Sequence, residues 1–165
     1  MKLQFDKDLE YQHQAIASIV DLFRGQTSMQ ANFTVASYNR QIGLYESTNG
    51  IGNRLELDED EIRENLQEIQ LRNGLPQTKH LKAGMYDFDV EMETGTGKTY
   101  VYLRTILELH KNYGFSKFII VVPSIAIKEG VYKSLQITKD HFSDLYDNTI
   151  YSYFVYDSGK LEQVR

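Results

Sequence analysis

Tyr86-Asp87-Phe88-Asp89-Val90-Glu91-Met92-Glu93-Thr94-Gly95-Thr96-Gly97-Lys98-Thr99-Tyr100 decides the reading of this chain, because it passes from a strand pattern through a glycine turn into a helix start. Residues 86–91 alternate aromatic or apolar side chains with acidic ones, the period of a short strand. Gly95 and Gly97 permit a tight turn and a close approach of backbone to a ligand, and a helix N-terminus behind such a turn favours an anion. Lys98 then reaches the outer phosphates of a nucleotide, and Thr99 offers its hydroxyl to Mg²⁺. Thr94, Gly95, Thr96, Gly97, Lys98, Thr99 and Tyr100 are therefore the expected contacts for ATP and its Mg²⁺. The competing reading is a glycine turn that happens to hold a lysine.

The residues beyond the loop support the first reading. From Lys98 to Tyr113 the apolar positions Val101, Leu103, Ile106, Leu107 and Leu109 carry a helical pattern, with no Pro or Gly before Gly114. Strand, loop and helix follow in the order a phosphate-binding loop requires. In one place the pattern departs from the general form: Met92 stands where a further glycine is found in kinases and small GTPases, which argues against a small nucleotide kinase.

Working outward, Lys117-Phe118-Ile119-Ile120-Val121-Val122 is a continuous apolar run closed by Pro123, as in a strand buried on both faces. Ala126 to Leu145 reads as a helix with a break near Thr138, and Ser152 to Tyr156 as a third strand. The order predicts an α/β fold: a parallel sheet with right-handed crossovers and flanking helices. Toward the N-terminus, Leu9 to Phe23 places Tyr11, Ala15, Ile16, Ile19, Val20 and Phe23 on one helical face ahead of Gly25. Residues 24–54 are rich in Gly, Ser, Asn and Gln, with Phe33-Thr34-Val35 and Ile42-Gly43-Leu44-Tyr45 as a candidate hairpin. Asp58 and Glu61 form a capping-box pattern for a helix running to Asn73-Gly74. The acidic start of that helix complements its dipole rather than gathering a metal.

The composition is that of one ordinary globular core: 165 residues, 41% hydrophobic and 25% charged. The absence of cysteine removes disulfides and thiolate metal sites, and His13, His80, His110 and His141 are too dispersed for metal-ligand spacing. A net charge of -5 lacks the overall basic footprint of a nucleic-acid binder, which leaves a local groove as the place for such contacts. With no apolar run near 18 residues and no basic, apolar N-terminal signal, a cytoplasmic protein without a membrane partner is expected. Tyr151, Tyr153 and Tyr156 suggest base stacking, but their alternation fits core packing better.

Three stretches together resemble the N-terminal part of a superfamily 2 helicase motor, and most closely the restriction (Res) subunit of type III restriction-modification enzymes. They are Tyr11-Gln12-His13-Gln14-Ala15-Ile16, Glu91 to Tyr100, and Phe118 to Ile127. The resemblance implies a partial RecA-like parallel sheet, with residues 1–30 as an N-terminal helix bearing an adenine motif, 31–85 as a variable, loop-rich helical insertion, and 86–165 as an incomplete ATP-binding core. It implies that Gln12 contacts adenine, a task suited to an amide that can pair with N6 and N7; otherwise Gln12 is a polar residue on the exposed side of a helix. It also implies that Pro123 and Ser124 hold DNA phosphates, although Ser124 equally suits a helix cap. The implied partners are DNA and a modification methyltransferase subunit, and the implied whole is an ATP-dependent translocase with an endonuclease. No Asp-Glu pair follows the loop, so this chain alone is expected to bind ATP weakly or not at all and to hydrolyse it negligibly. A sheet of three strands also leaves an edge through which chains self-associate. The alternative is a truncated, non-catalytic nucleotide-binding or interaction module.

Overall fold

The computed structural model describes residues 5–28, 53–82, 86–149 and 151–156. Four α-helices carry the architecture: α1 Glu10–Val20, extended by a 3-10 turn Asp21–Phe23, then α2 Glu59–Arg72, α3 Lys98–Tyr113 and α4 Ile125–Leu145. The candidate hairpin at residues 33–45 lies outside the described residues.

The helix boundaries follow local chemistry. In α2, the Glu61 N–H donates to Asp58 Oδ1 and the Asp58 N–H to Glu61 Oε2, each at 2.9 Å, closing the capping box. At its other end Gly74 adopts φ +67°, the Leu75 N–H reaches the Gln70 carbonyl at 2.8 Å and the Gly74 N–H reaches Leu71 at 3.1 Å. These two bonds satisfy carbonyls that a helix end otherwise leaves unpaired. The acidic first turn of α2 is thus occupied in capping and in an Asp60–Arg63 pair at 2.7 Å. Helix α4 runs unbroken through Thr138, whose hydroxyl donates to the Ser134 carbonyl at 2.7 Å within its own helix.

Helix α3 is central, with α1 packed on one flank and α4 on the other. Tyr100, Leu103, Leu107, Phe142 and Tyr146 form the core cluster, joined by Phe5, Tyr102, Leu135, Leu145 and Tyr151. Helix α2 docks on the end of α1 through Asn65, whose Nδ2 donates to the Leu22 and Arg24 carbonyls at 3.1 and 2.9 Å. Arg72–Asp21 and Arg24–Glu68 ion pairs flank that contact.

The expected parallel sheet is not found. Among the described residues there is no strand, only an isolated bridge at Lys82: 86–91, 117–122 and 152–156 join no ladder, and the fold described is helical. The reason is that a strand, unlike a helix, draws its hydrogen bonds from another segment, and the contact made at 116–117 comes from the Asn53 side chain rather than from a main-chain ladder. Ile119 and Val121 are accordingly 91% and 87% exposed, although their sequence is that of a run buried on both faces. The RecA-like sheet, and the edge on which self-association was to rest, are therefore corrected to a four-helix arrangement for the described residues. Tyr151 does pack on the core as expected, whereas Tyr156 is exposed and Tyr153 meets Tyr132 edge-on.

Candidate functional site

Between Glu93 and Tyr100 the chain turns on two glycines in the left-handed region, Gly95 at φ +84° and Gly97 at φ +86°. Gly97 is the residue that caps α3, and it supplies no side chain to the first-turn amides. The N–H groups that open α3 therefore have no acceptor from a cap side chain, as at α1 and unlike those of α2 and α4, where Asp58 and Ser124 accept one. Unpaired amides with the positive end of a helix dipole behind them suit an anion of phosphate geometry.

The loop is held from two sides. Thr96 Oγ1 and Lys98 Nζ both donate to the Glu93 carbonyl, at 2.7 and 3.0 Å, which folds the lysine back over its own loop. From α1, Gln12 Nε2 donates to the Thr96 carbonyl at 2.9 Å, across 84 residues of sequence. Gln12 is 6% exposed, so the reading of it as a solvated polar residue on α1 does not hold. It turns inward with Ile16 while Tyr11, placed on the inner face by sequence pattern, is exposed. The contact is close: a Cβ added at Gly97 would lie 2.8 Å from Gln12 Nε2.

Tyr100 is buried, and its hydroxyl shares a hydrogen bond of 2.9 Å with His141 Nε2 on α4. Its side chain thus belongs to the core, which leaves only its main-chain N–H to the loop. Thr99 is half-buried beside it. Burial, then the charge of Arg104, holds the His141 imidazole below its ordinary pKa, against a smaller opposing influence of Asp144. Pro123 and Ser124 stand apart from this group: Ser124 Oγ accepts from the Ile127 N–H at 3.3 Å as the cap of α4, and no hydrogen bond among the described residues joins it to the loop.

Sequence reasoning passed over Arg104 and His141. The signal for Arg104 was present, because Tyr100, Leu103, Arg104 and Leu107 form one helical stripe with a charge at its centre. Nothing in the sequence marks His141, whose neighbour Tyr100 is 41 residues away.

The structure defines a helical scaffold that presents a glycine loop and a Lys-Thr pair at the N-terminus of its central helix, braced by a glutamine from an upstream helix. The chain belongs to the family described as type III restriction enzyme, res subunit, whose model matches residues 7–157. It is 36% identical over 154 residues to the type III restriction-modification enzyme EcoPI Res subunit of Escherichia phage P1, covering 92% of this chain and 15% of that protein. Against the StyLTI Res subunit of Salmonella typhimurium it is 54% identical over 65 residues, 38% of this chain and 7% of that one. The chain thus spans a small part of the length of these relatives. The family expected from the three quoted stretches is the one found. No helix among the described residues is long and apolar enough to cross a membrane.

Proposed function

We propose that residues 94–100 bind the phosphates of ATP, with Lys98 on the outer phosphates and the Thr99 hydroxyl on Mg²⁺, and that this chain is the ATP-binding part of a DNA-translocating restriction subunit. The observation that carries the proposal is the loop itself: two left-handed glycines leading into an uncapped helix start with Lys98 as its first residue. Membership of the Res family supports it. Lys98 exchanges the Glu93 carbonyl for a phosphate oxygen, a stronger charge-assisted partner. Gln12 spends one amide N–H on Thr96, which leaves its second N–H and Oε1 for the adenine edge.

In a longer protein resembling these relatives, residues 1–30 and 86–165 contribute one wall of the nucleotide site, and 31–85 form an insertion between them. Pro123 and Ser124 lie against the phosphates of duplex DNA, and a methyltransferase subunit is the protein partner. ATP-driven movement and DNA cleavage need groups that this sequence does not contain, above all an Asp-Glu pair after the loop. The chain alone is therefore expected to bind Mg-ATP weakly and not to turn it over. Titration of a fluorescent ATP analogue in the presence of Mg²⁺ tests this: saturable binding lost in Lys98→Ala supports the proposal, and binding that is absent, or unchanged in Lys98→Ala, refutes it. DNA-stimulated hydrolysis by the chain alone would refute the second half.

A further inference from the structure

Arg104 is the one charged side chain in the core stripe of α3. It is 8% exposed, and none of the carboxylates of the described residues forms an ion pair with it. Its Nη1 donates to the main-chain carbonyl of Lys7 at 2.6 Å, and its Nε is buried without a partner. Burial works against the guanidinium, but the Tyr146 hydroxyl beside it and the nearby Tyr100 and Glu108 hold it charged, with its pKa above the ordinary value. What Arg104 does achieve is to fix the segment that precedes α1. With Lys7 held, Phe5 lies on the Tyr100 ring at a centroid distance of 5.9 Å and an interplanar angle of 13°, and against His141 at 5.2 Å. His141 in turn holds the Tyr100 hydroxyl. Tyr100 directly follows Thr99, and the next residue, Val101, closes the loop–helix junction with an N–H to the Gly97 carbonyl at 3.0 Å.

We propose that Arg104 and the Phe5–Asp8 strap form a latch that sets the first turn of α3, making Arg104, Phe5 and His141 positioning residues for the phosphate loop. The functional side of this rests on the ATP reading given above; the structural side does not. With the latch closed, Tyr100 is wedged between Phe5, His141 and Phe142, and Lys98 and Thr99 leave the helix in a fixed direction. With it open, the first turn frays and the phosphate contacts lose their alignment.

Arg104→Met tests the latch, since it keeps the length and the apolar packing of the side chain and removes its donors, and the Ile62 control below reports whether the rest of the fold is kept. Amide hydrogen exchange is read at Val101, with Ile62, whose N–H bonds to the Asp58 carbonyl, as the control. Exchange at Val101 is expected to accelerate while Ile62 stays unchanged, and Mg-ATP affinity to fall about tenfold. Arg104→Lys, which keeps one donor for the Lys7 carbonyl, recovers part of both effects. Phe5→Ala reproduces the Arg104→Met result, and the double variant is no worse than either. Unaltered exchange at Val101 in Arg104→Met overturns the latch, as does an equal rise at Ile62, which marks general loosening. If the parent chain binds no Mg-ATP, the nucleotide reading falls and the exchange result alone decides the latch.

Discussion

Gly97→Ala is the perturbation that most directly examines how the loop is built. Two separate costs meet at this position. The backbone sits at φ +86°, where a Cβ crowds the following carbonyl and costs about 1–2 kcal/mol. The new methyl would also lie 2.8 Å from Gln12 Nε2, so the amide must move and surrender its bond to the Thr96 carbonyl. Leaving the buried amide and that carbonyl unsatisfied adds roughly 1–3 kcal/mol. The total is about 2–5 kcal/mol, at roughly 2–4 °C of melting temperature per kcal/mol for a chain of this size. Gly95→Ala is the matched control, with φ +84° but no atom within 4 Å of the added Cβ, so it bears the backbone cost alone. Urea unfolding of both variants, each alone and with Gln12→Ala, separates the terms. In the Gln12→Ala background the loss at Gly97 should shrink to that at Gly95, giving a coupling of about 1–3 kcal/mol. If Gly97→Ala costs the same with and without Gln12, then α1 does not brace the loop, and the reasoning fails.

Asn65→Ala removes the donor shared by the Leu22 and Arg24 carbonyls and should destabilise the chain by about 2–3 kcal/mol with nucleotide binding unchanged; a loss under about 0.5 kcal/mol in denaturant titration would mean that α2 is not docked through this residue. His141 has a folded pKa below its ordinary value of 6.5, so the unfolded chain takes up the proton more readily. Its contribution to stability is complete above that ordinary value and is lost as pH falls through it toward the folded pKa. Melting temperatures followed from pH 7.5 to 5 should therefore fall more steeply in the parent than in His141→Phe, and identical slopes would exclude His141 as the source.

The helices were legible from sequence because their signals are local. Asp58 and Glu61, Asn73-Gly74, Gly114 and the spacing of apolar residues in α3 each act within a turn or two of where they stand. The extent of α3, Lys98 to Tyr113, was legible in full. Family membership was legible too, since three short stretches in a fixed order survive translation into structure without any knowledge of contacts. The loop motif named the residues proposed above to bear the chemistry, but not that Lys98 folds back on Glu93 or that the Tyr100 ring is committed to the core.

The sheet was misread for the opposite reason. The alternation at residues 86–91 and the apolar run at 117–122 record what these segments need, not what lies beside them, and a strand exists only when another segment supplies the ladder. The sequence by itself thus determined where the helices lie, though not that α4 is unbroken at Thr138, together with the glycine turn and the family. Only the tertiary structure decided that Gln12 reaches Thr96, that Arg104 holds Lys7 and that His141 meets Tyr100, because those contacts join residues 84, 97 and 41 positions apart, and no local rule of spacing relates side chains that the fold alone brings together.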